Sequence, residues 1–129
     1  MSELNKESII GITALLVHAA NIDEIYSDHE KSLIKDFIKS YLKNDDENQI
    51  LELAEEVEKN SNQLLNFTNL IKQNSKDVKK NIIEHLWKVI ISDNSIDQYE
   101  SNLMRRICGL IYFPDKECGE IKLKLLNTK

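Results

Sequence analysis

The stretch Asp23-Glu24-Ile25-Tyr26-Ser27-Asp28-His29-Glu30 has a counterpart 70 residues later in the chain, Asp93-Asn94-Ser95-Ile96-Asp97-Gln98-Tyr99-Glu100. Each stretch holds an Asp and a Glu seven residues apart, and each joins two segments whose apolar residues recur at helical spacing. The same offset relates core-type residues on either side of the stretches: Ile12 and Ile82, Leu16 and Leu86, Leu33 and Leu103, Ile34 and Met104. The pattern predicts a helix, an acidic turn and a second helix, present twice in the chain.

The composition favours an all-α fold. Only three of the 129 residues are Gly and one is Pro, whereas the helix formers Leu, Lys and Glu are plentiful. We expect a single domain over residues 1–129, a bundle of about seven helices with repeat halves about 4–60 and 61–129. Ser75 is expected to cap the fifth helix, and Pro114 to be the first residue of the last. The predicted helices cover residues about 4–20, 28–43, 46–59, 62–73, 76–92, 98–112 and 114–127.

The charge and the cysteine content exclude several classes of protein. A net charge of −5 argues against nucleic-acid binding, which usually requires a basic face. No apolar run approaches the roughly 20 residues that span a bilayer, so we expect no membrane insertion. The first residues lack the basic start and apolar middle of a signal peptide. Cys108 and Cys118 are too few for a disulfide framework, and we therefore expect a cytoplasmic protein.

Several segments, taken in order and at their spacing, resemble a known family. They are Ala19-Ala20-Asn21-Ile22-Asp23 with Glu30-Lys31-Ser32-Leu33-Ile34, His85-Leu86-Trp87-Lys88-Val89, Ile91-Ser92-Asp93 with Glu100-Ser101-Asn102-Leu103-Met104-Arg105-Arg106, and Tyr112-Phe113-Pro114-Asp115-Lys116-Glu117. Over nearly the whole chain the sequence is similar to the TerB-like domain family, an all-helical family named for a tellurite-resistance protein. The resemblance implies a cation-binding or scaffolding module in bacterial stress response, tellurite resistance or defence.

The resemblance also implies a metal site at the two acidic stretches, which we call the first and second acidic corners. Hard divalent cations such as Mg²⁺ and Ca²⁺ prefer carboxylate oxygens. The ligands implied are Asp23 and Glu30 in the first corner, and Asp93, Asp97 and Glu100 in the second.

The chain departs from the family pattern after the first Asp of each corner. Where the family has Gly, this chain has Glu24 in the first corner and Asn94 in the second. Because Asn adopts positive φ more readily than Glu, we expect the second corner to be the better metal site. An EF-hand is excluded, since its bidentate Glu at the twelfth position is replaced by Ile34 and Met104.

A purely structural role fits the same acids. The segments 27–30 and 97–100 match a capping box and its Asp-led analogue, in which Glu30 and Glu100 would satisfy free helix N–H groups. Asp23 and Asp93 fit this interpretation less well, because they fall near the ends of the preceding helices, where acids are mildly unfavourable. From the sequence, a cation site and a set of helix caps both remain open.

No motif supports catalysis or zinc binding. The chain has neither a Gly-x-Ser-x-Gly elbow nor a Gly-rich phosphate loop, so we do not expect an enzyme. His18, His29 and His85 have no paired spacing with the cysteines, and Cys108 and Trp87 are expected in the core. We expect other proteins as partners. The alternative function is a metal-free protein–protein interaction module whose acidic corners only cap helices.

Overall fold

The computed structural model describes residues 6–21, 28–42, 47–60, 65–91 and 98–127. Within these ranges the chain forms seven α-helices and no strand, which confirms the all-α prediction. The helices are Lys6–Ala20 (α1), Asp28–Tyr41 (α2), Glu47–Asn60 (α3), Leu65–Lys72 (α4), Lys76–Ile91 (α5), Gln98–Leu110 (α6) and Asp115–Asn127 (α7). Each helix begins and ends within about three residues of its predicted bounds, the usual precision of such boundaries.

Helix α1 is enclosed by its neighbours α2, α3, α4 and α5. Its residues are buried without a break from Gly11 to Val17, a pattern typical of a helix with no solvent face. Thr13, the polar residue within this stretch, donates its hydroxyl to the Ile9 carbonyl at 2.6 Å. This bond to the preceding turn lets a hydroxyl sit in the core without an unsatisfied donor.

Gly11 allows α4 to approach α1. A Cβ placed on Gly11 would overlap Cδ1 of Leu70, a residue of α4. Gly11 therefore provides the small surface that close packing of the two helices requires.

The two halves of the chain use similar helix pairings. In the first half α3 packs against α1 and α2, and in the second α7 packs against α5 and α6. The helices α1 and α5, which the 70-residue offset makes equivalent, also contact each other. Buried residues from all seven helices form one hydrophobic cluster, with Ile12, Phe37 and Ile82 among its fully buried members.

A tight turn joins α6 to α7. The Phe113 N–H donates to the Cys108 carbonyl at 2.9 Å and the Tyr112 N–H to the Gly109 carbonyl at 3.4 Å, which together form a Schellman motif. Tyr112 occupies its left-handed position with φ 60°, where glycine is usual. The motif turns the chain back so that the first turn of α7 lies beside the end of α6.

Ser75 caps the N-terminus of α5, as predicted. Its Oγ accepts a hydrogen bond from the Val78 N–H at 3.3 Å, the usual bond of an N-cap serine. Pro114 differs by one position from the prediction, because α7 begins at Asp115. The Pro114 carbonyl accepts the Cys118 N–H at 3.1 Å, so the proline precedes the first helical residue.

The apolar spacing of α3 predicts that Leu53 and Val57 face the core, and this prediction is wrong. Each is 39% exposed. Together with Ile10, Phe67 and Leu70 they border an open groove between α1, α3 and α4, of about 620 Å³. The neighbouring helices thus cover only part of the apolar face of α3. Sequence periodicity identifies that face but does not show which of its residues are covered.

Candidate metal site

The first acidic corner follows α1 and leads into α2. Glu30 is the third residue of α2, and its side chain is only 5% exposed, which is rare for a glutamate unless it is paired. Glu30 does interact with a neighbouring group. Asp23, the other ligand predicted at this corner, lies outside the described residues. The structure therefore places one predicted ligand on the inner side of the bundle.

The second acidic corner follows α5 and leads into α6. Glu100 is the third residue of α6, the same position that Glu30 has in α2. This equivalence agrees with the position of Glu in a capping box and with the sequence repeat. The predicted ligands Asp93 and Asp97, and the side chain of Glu100, lie outside the described part of the structure.

A polar cluster at the end of α1 holds the chain where it enters the first corner. Asn21 donates its side-chain amide to Glu58 Oε1 at 3.4 Å, and His18 Nδ1 lies 3.4 Å from Glu58 Oε2. Glu58 belongs to the last turn of α3, and its side chain is 19% exposed. Sequence analysis missed this role of Glu58. Asn21 and His18 precede Glu58 by 37 and 40 positions, and no local sequence pattern relates residues so far apart.

Among the described residues, the positions of α5 that correspond to this cluster do not form an equivalent of it. The offset of 70 relates Asn21 to Ile91 and His18 to Lys88. Ile91 is 3% exposed and joins the hydrophobic cluster, whereas Lys88 is exposed. The helix that leads into the first corner is thus held by a carboxylate, and the one that leads into the second by apolar packing.

His85 lies on the side of α5 that faces α2. Its ring packs edge-on against Phe37 with 5.1 Å between centroids, and its Nδ1 lies 2.9 Å from the Asn81 carbonyl. Since a carbonyl only accepts, Nδ1 carries the proton in this bond. Burial lowers the pKa of His85 below its ordinary value, with the bond to Asn81 opposing the shift.

No set of three His, Cys, Asp or Glu side chains that could hold a metal occurs among the described residues. Four of the five predicted ligand side chains lie outside that part of the chain, so the metal prediction stays a prediction. The three histidines are separated in the fold. His18 contacts α3, His29 is exposed at the start of α2, and His85 is packed against α2.

The architecture is that of a small all-α protein in which two acidic stretches of sequence occupy equivalent places in the order of helices. The family model described as Tellurite resistance protein TerB matches residues 10–123. The chain belongs to the TerB family, as the resemblance in its sequence predicts. Comparisons with curated proteins and with solved structures find no match. In the part of the chain that the structure describes, no helix is long and apolar enough to cross a membrane.

Proposed function

We propose that this TerB-family domain binds a divalent cation at its acidic corners and acts as a cytoplasmic scaffolding module in bacterial stress response or tellurite resistance. The ligands are Asp23 and Glu30 from the first corner and Asp93, Asp97 and Glu100 from the second. Their carboxylate oxygens suit Mg²⁺ or Ca²⁺. A single ion that took ligands from both corners would fix the packing of the two halves. The proposal assigns no reaction to the chain, because its sequence contains no nucleophile or phosphate-loop motif.

The burial of Glu30 is the observation that carries the proposal. A glutamate that only capped a surface helix would usually remain exposed, whereas Glu30 is 5% exposed. The contact between α1 and α5, the helices that lead into the two corners, supports an ion shared by both halves. The second corner is the stronger site in this proposal, because Asn94 suits a left-handed turn and all three of its acids are present.

Isothermal titration tests the proposal with Mg²⁺, Ca²⁺, Mn²⁺ and Zn²⁺ on the full chain. We expect a saturable heat for at least one ion, its loss in Asp93→Asn combined with Glu100→Gln, and a smaller change in Asp23→Asn combined with Glu30→Gln. The matched control is Glu52→Gln combined with Glu56→Gln, which removes two exposed acids of α3. A wild-type chain that gives no saturable heat with any of the four ions would refute the proposal.

A metal-free interaction module is the second candidate function, and the groove between α1, α3 and α4 favours it. Leu53 and Val57 expose apolar surface there, and Glu7 and Glu56 lie at its edge. Exposed apolar surface rimmed by charge is typical of a protein-binding site. A photo-crosslinking residue at position 57 would then capture a partner in the presence of chelator and in the corner variants. The same residue at exposed position 102, on α6, serves as the control.

A further inference from the structure

The two cysteines of the chain lie side by side between α6 and α7. Cys108, near the end of α6, is fully buried, and Cys118, in the first turn of α7, is 5% exposed. The Schellman turn brings them together, since the Cys108 carbonyl accepts its closing hydrogen bond. The two thiols are close enough for each to influence the ionisation of the other. A disulfide between them would bring the two sulfurs to about 2.05 Å.

The surroundings of the pair distinguish the two sulfurs. The neighbouring Cys108 thiol and the Trp87 N–H, which donates a hydrogen bond to the Cys118 sulfur at 3.3 Å, both favour the Cys118 thiolate. They lower the pKa of Cys118 to about 7, although burial and Asp115 act in the opposite direction. The interaction with Cys118, together with burial, raises the pKa of Cys108. Because the Trp87 N–H is directed at the Cys118 sulfur, a negative charge is better stabilised on Cys118 than on Cys108.

Charged groups from the neighbouring helices complete this environment. Lys122, one turn along α7, lies over the Trp87 ring with its Nζ 5.4 Å from the centroid, and its charge favours the thiolate. Arg105 of α6 and Asp115 of α7 border the same pocket. The first turn of a helix adds the positive end of the helix dipole, which also stabilises a thiolate.

A pocket gives small molecules a path to one sulfur and not the other. Its volume is about 520 Å³, and Cys118 lines it together with Trp87, Ser101, Met104 and Lys122. Cys108 does not line the pocket and has no exposed surface. Cys118 is thus the thiol that a small molecule in the pocket can reach, and Cys108 is a second thiol buried near it. Redox-sensing cysteine pairs have this arrangement.

We propose that Cys118 and Cys108 form a peroxide-reactive dithiol, in which Cys118 attacks a hydroperoxide and Cys108 closes an intramolecular disulfide. The Cys118 thiolate attacks one peroxide oxygen and the O–O bond breaks. This leaves sulfenic acid on Cys118 and releases hydroxide, which removes the proton of Cys108. The Cys108 thiolate then attacks the Cys118 sulfur, the S–O bond breaks, and the departing hydroxide is protonated by solvent. In total, two thiols and one hydrogen peroxide give one disulfide and two waters.

Peptide mapping of the full wild-type chain tests the proposal without any substitution. The reduced protein is treated with hydrogen peroxide, alkylated and digested with trypsin without reductant. Trypsin separates the cysteines, because residues 107–116 and 117–122 are different peptides. We expect these two peptides to be joined with the loss of two hydrogens, at a rate independent of protein concentration, and to separate again after dithiothreitol. Wild-type protein that keeps both thiols while glutathione in the same solution is oxidised would overturn the proposal.

Two single variants assign the roles. In Cys108→Ser, sulfenic acid should accumulate on Cys118, where dimedone labels it. In Cys118→Ser, the remaining Cys108 should react at least tenfold more slowly than Cys118 does in the first variant, because it is buried behind the pocket. Circular dichroism shows whether each variant retains its helices. Equal rates for the two variants, or a disulfide formed only between chains, would contradict the assignment.

Discussion

Trp87 donates its indole N–H to the Cys118 sulfur at 3.3 Å, a polar contact that joins α5 to α7 inside the core. The tryptophan is 3% exposed and lies in the hydrophobic cluster. Trp87 therefore has two roles. Its ring fills space between the helices, and its N–H donates a hydrogen bond to Cys118, which lines a pocket.

Replacing Trp87 by Phe should raise the pKa of Cys118, because the thiolate loses the hydrogen bond from the indole N–H. The midpoint of the pH dependence of Cys118 alkylation, followed with iodoacetamide at residues 117–122, should therefore move to higher pH. Unfolding should also become easier by about 1–3 kcal/mol, the usual cost of a lost hydrogen bond with imperfect refilling of space.

Lys122→Met is the matched comparison for the alkylation experiment. It removes a charge that also favours the thiolate but that ranks below the Trp87 bond among the causes of the shift. Its midpoint should rise by less than that of Trp87→Phe. The reverse order would show that charge, rather than the indole bond, controls the reactivity of Cys118.

The burial of His85 predicts a loss of stability in mild acid. Its pKa is below the ordinary 6.5 in the folded chain, so the unfolded chain binds a proton more readily as the pH falls. The stabilising contribution is complete above pH 6.5 and is lost as the pH falls toward the folded pKa. Urea unfolding at pH 7.5 and 5.5 should show a larger loss for wild type than for His85→Gln.

His29→Gln is the control, since His29 is exposed at the start of α2. Its loss of stability between the two pH values should equal that of wild type. If His85→Gln and His29→Gln give the same difference, the burial of His85 does not contribute to the pH dependence.

The left-handed backbone at Tyr112 predicts a stabilising substitution. A non-glycine residue at φ 60° is strained, and this side chain is 71% exposed, so little packing compensates the strain. Tyr112→Gly should raise the free energy of unfolding by about 1 kcal/mol, net of the loss of the contact in which Lys72 Nζ lies 4.9 Å from the ring centroid. Thermal unfolding followed by circular dichroism measures the change.

At Gly109, three residues earlier, the removal of a glycine rather than its introduction should stabilise the protein. It lies within α6, and a Cβ there would meet nothing within 4 Å. Gly109→Ala should stabilise the helix by about 0.5–1 kcal/mol, and Tyr112→Ala should show no such gain. A loss of stability in Tyr112→Gly would mean that the strain is smaller than the contacts of the tyrosine.

The cap at the start of α5 predicts a loss of stability in Ser75→Ala. Its hydroxyl accepts the Val78 N–H, and removal of an N-cap acceptor costs about 1 kcal/mol. Ser75→Asp keeps an acceptor and places a negative charge at the helix start, so its stability in chemical unfolding should match wild type. Equal losses in both variants would point to another role for the hydroxyl.

The helices of this protein could be predicted from the sequence because their signals are local. Apolar spacing located all seven, and Ser75 marked the start of α5 through a bond that spans three residues. The burial of Trp87 and Cys108 also followed from their positions on apolar helix faces. The acidic corners were found from their repetition, and the structure adds the burial of Glu30 to that pattern.

The pairing of distant residues could not be predicted, because it depends on how the helices pack. No sequence pattern relates Trp87 to Cys118, or His18 to Glu58. For the same reason the prediction that Leu53 is buried was wrong. Leu53 lies on the apolar face of α3, but no neighbouring helix covers it fully.

The sequence by itself determined the all-helical class, the bounds of the helices and the family, since periodicity, capping residues and motif order are properties of neighbouring positions. Only the tertiary structure decided which side chains meet. It placed Glu30 inside the bundle, left Leu53 beside an open groove, and directed the Trp87 indole N–H at the Cys118 sulfur. The reason is physical: a repeat of 3.6 residues fixes the face of a helix, and only packing fixes what that face touches.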